Sequence, residues 1–272
     1  MEHCSRSIGI FDSGLGGLTV MRQILEELPQ ESITYFGDTA RVPYGNKSSD
    51  TILKYSIENS NFLIQKEVKA LVVACNTASA YSLEHLQETF SIPVVGVIEP
   101  GVERALEATH NGHIAVLGTE GTIRSGAYQK QFARMKSGIQ VTTIECPLFV
   151  PLVEEHFLSH PATKMIVKEY LAPLKGAGVD TVLLGCTHYP LLRSFIEEEL
   201  GDDVTVIDSA SSCSQKLRSI LGEASLLANQ NVIPKLQYYV SDDANRFKER
   251  AQEFLETSID EVRTQCFGVN VE

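Results

Sequence analysis

The chain has 272 residues, 43% of them apolar and 21% charged, with a formal net charge of −12 at pH 7. That balance suits a folded globular protein with a sizeable core, in one large domain or two modest ones. It argues against nucleic acid and anionic membrane as main partners, because no basic patch offsets the repulsion.

The N-terminal stretch MEHCSRSIGIFDSG has no apolar segment of signal-peptide type, and no apolar run is long enough to span a bilayer. The cysteines Cys4, Cys75, Cys146, Cys186, Cys213 and Cys266 lack the spacing of a disulfide scaffold or a metal knuckle. Free thiols and a cytoplasmic address are expected.

The first predicted strand, IGIF from Ile8, runs into the turn Asp12-Ser13-Gly14-Leu15-Gly16-Gly17. Leu18, Met21, Leu25 and Leu28 then form an amphipathic helical stripe that Pro29 closes. The turn falls short of a dinucleotide fingerprint, because Thr19 stands where GxGxxG needs glycine. Its glycines suit a small anion held by backbone N–H groups at a helix N-terminus. Asp12 reads equally as a helix cap or a site residue. Strand-like runs follow at ITYFG, ALVVAC, PVVGVI, HIAVLG, VTTIEC, TVLLGC, VTVIDS and LQYYV, with helical stretches between them and a final helical RFKERAQEFL. This alternation predicts βαβ units with largely parallel sheets, whose ligands sit at the carboxyl ends of strands.

The two halves echo each other. IGIFDSG from Ile8 matches IAVLGTE from Ile114, and LVVACNTAS around Cys75 matches VLLGCTHYP around Cys186. The expected fold is therefore two similar α/β domains, related by a pseudo-two-fold and facing each other across a central cleft. The predicted divisions are 1–98 with 210–272 for the Cys75 half, completed by the C-terminal segment, and 99–209 for the Cys186 half.

A thiol at the end of a buried strand, followed by polar groups, is poor packing and useful chemistry. Cys75 alone would pass for a buried structural thiol, but Asn76 and Thr77 add donors suited to a carboxylate. In Cys186-Thr187-His188 an imidazole can hold the sulfur as thiolate or shuttle its proton. The alternative, half of a metal site, has no second ligand pair nearby in sequence. Asp38, Pro43-Tyr44-Gly45, Glu99, Thr119 to Thr122 and Glu154-Glu155 are further candidates, although each by itself reads as a turn, a cap or a solvated charge. The remaining histidines, His3, His85, His110, His113, His156 and His160, read as surface or structural. Two thiols approaching one ligand from opposite sides would let a proton leave one face of a carbon and return to the other.

The stretches FDSGLGGLTV, YFGDTARVPYG, ACNTASA, GVIEPG, GTEGTIRSGAY, CPLFVPLVEE and LGCTHYPLL, in this order, closely resemble the glutamate racemases of the aspartate/glutamate racemase superfamily. The segment after about Asp208 matches only loosely, and His156 stands where the family commonly has a small residue. The resemblance implies interconversion of L- and D-glutamate without cofactor or metal, supplying D-glutamate for peptidoglycan. It implies Cys75 and Cys186 as the acid/base pair, Cys75 acting on the D-enantiomer and Cys186 on the L-enantiomer. Asp12 would assist Cys75, and His188 and Glu154 would assist Cys186. Asp12, Ser13, Tyr44, Gly45, Asn76, Thr77, Thr122, Thr187 and His188 would hold the substrate. Glutamate is the expected small-molecule partner, and a homodimer the expected assembly. A racemase for aspartate or another amino acid, a nicotinamide-dependent oxidoreductase and a non-catalytic amino-acid-binding module are the competing readings.

Overall fold

A computed structural model of the chain describes residues 3–229 and 233–267. Among the described residues ten strands form two sheets, and every strand pairing is parallel. They are β1 (Ile8–Asp12), β2 (Ile33–Gly37), β3 (Ala70–Val73), β4 (Val94–Gly96), β5 (His113–Gly118), β6 (Gln140–Glu145), β7 (Thr181–Gly185), β8 (Thr205–Asp208), β9 (Leu236–Val240) and β10 (Val262–Thr264). The first sheet has the order β10-β9-β2-β1-β3-β4 and the second β6-β5-β7-β8. The block β2-β1-β3-β4 thus has the same connectivity as β6-β5-β7-β8, which is the duplication heard in the sequence. Two α/β domains with parallel sheets result.

The inner strands β1, β3, β5 and β7 are buried along their whole length, as strands covered by helices on both faces must be, so they read as unbroken apolar runs. Strand β10 was not anticipated: its three residues, VRT, are half-buried or exposed and carry no apolar pattern. The helical stripe after β1 forms over Leu18–Glu27, with Ile24 rather than Leu25 completing its buried face. β9 and β10 bring the C-terminal segment back to the first sheet, on the outer side of β2. Helix Ala210–Glu223 makes that return, packing against helices Leu18–Glu27 and Ile98–Ala108. One apolar cluster runs from Ile8, Ile10 and Tyr35 of the first sheet to Val182 and Leu184 of the second. Among the described residues no helix is long and apolar enough to cross a membrane.

Candidate active site

The chain leaves β3 at Val73, and Cys75 becomes the N-cap of helix Asn76–Thr89 with extended backbone angles. Its sulfur accepts the Ala78 N–H at 3.5 Å and lies 3.8 Å from the Ser13 hydroxyl. Cys186 follows the last residue of the equivalent strand β7, and its sulfur lies 3.9 Å from His188 Nδ1. Both thiols are buried and face one cavity containing about 300 Å³ of empty space, which Ser13, Tyr44, Gly45, Asn76, Thr77, Thr187 and His188 also line. Pro43, Thr119 and Val150 complete its wall. Nine of the twelve site residues expected from the sequence are therefore gathered around one small enclosed space.

The other three stand behind it. Asp12, at the buried end of β1, accepts the Gly14 N–H at 2.9 Å and the Thr187 hydroxyl at 3.3 Å. It does not cap the following helix, whose N-cap Gly17 makes no side-chain bond. Thr122 closes a triangle of hydroxyls with Thr77 and Thr119, at 3.0 Å from each, and so braces the wall rather than lining it. Glu154 reaches the site through His188, whose Nε2 is 3.0 Å from its carboxylate. The glycine turn has a different use from the expected anion cradle. Gly14 N–H is taken by Asp12, and Gly16 is packed against the loop carrying Thr187 and His188.

Asp38 is a scaffold for the tyrosine loop. It accepts the Tyr44 hydroxyl, the Arg41 Nε at 2.7 Å and the Ser241 hydroxyl at 2.9 Å. Gly45 abuts Thr119 so closely that a Cβ there would meet the Thr119 Cβ at 2.5 Å, which ties the loop to the second domain. Glu99 instead pairs with Lys216 at 2.8 Å, and Glu155 with Arg246 at 2.9 Å, so neither enters the cavity. Outside the site, His113 is buried against Thr142, His156 pairs with Glu253 and His160 accepts the Ala162 N–H.

The two thiols sit in different electrostatic surroundings. Burial pushes the Cys75 thiol up to about 12, with the nearby Asp12 charge adding to the shift, so it is protonated at neutral pH. Burial also raises the Asp12 carboxyl, partly offset by His188. Burial alone would lower His188, but its bonds to Cys186 and Glu154 win and bring it to about 10, so the ring is an imidazolium at neutral pH. Burial of the Glu154 carboxyl is outweighed by the His188 hydrogen bond and by the charges of His188, Arg246 and Arg250, leaving it below the usual carboxylate range. Among the described residues no three His, Cys, Asp or Glu side chains group as metal ligands would.

Sequence reasoning passed over two contributions. Tyr128, fully buried, accepts the Asn76 amide N–H at 2.8 Å and so orients a cavity residue from the opposite domain. It lies inside the GTEGTIRSGAY block, where its signal was available. The helix Ala244–Leu255 brings Arg246 and Arg250 to the cavity wall they share with Glu154, and the Phe254 ring edge-on to His188 at 5.8 Å. It lies in the loosely matching C-terminal segment and carried no such signal.

Known proteins share this arrangement of chain. The sequence profile of the Asp/Glu/hydantoin racemase family matches residues 8–216. A glutamate racemase of Geobacter metallireducens is 50% identical over 250 residues, 92% of this chain and 93% of its own length. The crystal structure of a glutamate racemase isoform from Bacillus anthracis superposes with a TM-score of 0.92 at 41% identity, covering 98% of this chain and 99% of its own. That of the Francisella tularensis glutamate racemase in complex with D-glutamate gives 0.90 at 38% identity, covering 99% of this chain and 100% of its own. The chain belongs to the Asp/Glu/hydantoin racemase family and groups within it with the glutamate racemases.

Proposed function

We propose that the protein interconverts L- and D-glutamate by a cofactor-independent, two-thiol acid/base mechanism. The observation that carries the reading is the pair Cys75 and Cys186, at equivalent strand ends of duplicated domains, facing one cavity. The bound D-glutamate of the Francisella tularensis relative supports the substrate. The division into 1–98 with 210–272 and 99–209 accords with the two sheets. A homodimer, a cytoplasmic address and supply of D-glutamate for peptidoglycan belong to the same reading.

The α-carbon of glutamate is a very weak acid, so the site itself must stabilise the charge that develops when its proton leaves. Ser13, Asn76, Thr77 and Thr187 supply short neutral donors around the cavity, suited to the substrate carboxylates. The His188 imidazolium aims Nδ1–H at the Cys186 sulfur, while Cys75 on the other side holds its proton. In the proposed cycle L-glutamate meets Cys186 as its base. Cys186 takes the α-proton, and Cys75 returns a proton to the opposite face. Turnover from D-glutamate begins with the thiol states exchanged. Burial of both sulfurs keeps water from quenching the carbanion.

Circular dichroism of L-glutamate with protein dialysed against chelator and carbonyl scavenger tests the reading. Loss of optical activity at constant total glutamate is expected. Activity that returns only with pyridoxal phosphate, flavin or a divalent metal overturns it. Aspartate should be a very poor substrate, because donors fixed for one carboxylate spacing are left unpaired by a ligand one methylene shorter. Comparable kcat/KM for the two amino acids would transfer the assignment to an aspartate racemase.

A further inference from the structure

Helix Ala244–Leu255 follows β9 of the first sheet, yet one of its faces lies against the turn that ends helix Phe149–Glu154 in the second domain. Arg246, Arg250, Glu253 and Phe254 make that face, at the i, i+4, i+7 and i+8 positions of one helical stripe. Arg246 Nη2 bonds Glu155 at 2.9 Å, Arg250 Nη2 lies 3.9 Å from the same carboxylate, and Glu253 meets His156 Nδ1 at 2.6 Å. Both arginines and Glu154 also wall a larger cavity behind the site, of about 640 Å³ of empty space.

As stabilisers of the fold these pairs are weak, since Arg246 and Glu155 are both more than half exposed and water screens such pairs. Arg250 differs. Its side chain is only 15% exposed, and among the described residues its Nη1 is buried without a hydrogen-bond partner. A buried, incompletely bonded guanidinium is costly and calls for a reason. Glu154, on the wall of the same cavity, supplies one.

We propose that Arg250, with Arg246, is a positioning residue for the Cys186 half of the reaction, keeping the Glu154 carboxylate seated on His188. The proposal rests on the two-thiol reading above. Among the described residues no arginine or lysine is recorded against Cys75, whose surroundings are Ser13, Asp12, Cys186 and the Ala78 N–H. Loss of Arg250 should therefore weaken abstraction from the L-enantiomer selectively.

Racemisation cannot reveal this selectivity, because an equilibrium constant of one forces kcat/KM to change equally in both directions. N-hydroxyglutamate can. When a thiolate takes its α-proton, the C–H electron pair forms a C=N bond and the N–O bond breaks, releasing hydroxide, which is protonated to water. The resulting imine hydrolyses to 2-oxoglutarate and ammonia, so each enantiomer reports one base. Arg250→Ala should lower elimination from the L-analogue about tenfold relative to the D-analogue, and Arg250→Lys should recover most of the loss. Arg246→Ala should do the same more weakly. Arg250→Met keeps the buried stem, so a folded variant is in hand if the alanine variant unfolds. Equal losses for the two enantiomers in Arg250→Met, or no rescue by lysine, overturn the proposal. Cys75→Ser and Cys186→Ser run in the same assay separate the two failures. If they do not show opposite enantiomer preference, the two-thiol reading itself falls.

Discussion

Gly16 and His188 are in direct van der Waals contact across the two domains: a Cβ on Gly16 would lie 2.6 Å from His188 Cε1 and closer still to Nδ1 and to Thr187 Oγ1. Thr19, one turn on, donates to the Thr187 backbone carbonyl at 3.1 Å, so the first glycine turn and the Cys186 loop are seated on one another. The glycine is there because a neighbouring loop occupies the space that a side chain would need.

Gly16→Ala should therefore displace His188 from Cys186. Loss of racemisation by about a hundredfold is expected, with a stability loss of about 1–3 kcal/mol from overpacking. Steady-state kinetics and thermal unfolding check it. Near-native activity would mean that the loops adjust freely and that the fit is not needed.

The two-thiol mechanism predicts an isotope pattern. In deuterated water, D-glutamate formed early from L-glutamate should carry deuterium at the α-carbon, while the remaining L-glutamate keeps its proton. Cys186 removes the proton and Cys75 returns one already exchanged with solvent. Deuterium appearing equally in both enantiomers from the start would indicate a single base. Cys75→Ser and Cys186→Ser should each lose about a thousandfold in racemisation.

His188 gives a pH signature. Its folded value, about 10, lies above its ordinary 6.5, so its charge stabilises the fold fully below about 6.5, and that contribution is lost as pH rises through about 10. Glu154 contributes in the opposite sense: it is depressed below its ordinary 4.5, and its stabilisation is lost as pH falls through its folded value. Glu154→Gln removes the charge that helps hold His188 protonated. The alkaline limb of kcat/KM should move to lower pH, by about one unit. An unmoved limb in the variant would disconnect Glu154 from the ionisation that matters.

Tyr128→Phe leaves the Asn76 amide N–H without its partner in a buried setting. A stability loss of about 1–3 kcal/mol is expected. KM for glutamate should rise more than kcat falls, because an unheld amide binds a carboxylate less well but does not move the thiols. A change confined to kcat would place Tyr128 closer to the proton transfers than its position suggests.

Nine of the ten strands, the two thiols at equivalent strand ends and the glycine turn were legible from local pattern alone, because buried parallel strands impose continuous apolar runs and sharp turns impose glycine. Tertiary structure alone decided which polar residues face the cavity. Thr77 does and its hydrogen-bonded partner Thr122 does not, although either reading suits the sequence. It also decided that Asp12 bonds Thr187 rather than capping its own helix, and that a C-terminal helix brings Arg246 and Arg250 to Glu155, beside Glu154. Those contacts join segments far apart in the chain, so they follow from how the two sheets and their helices pack and leave no periodic trace in either partner's sequence.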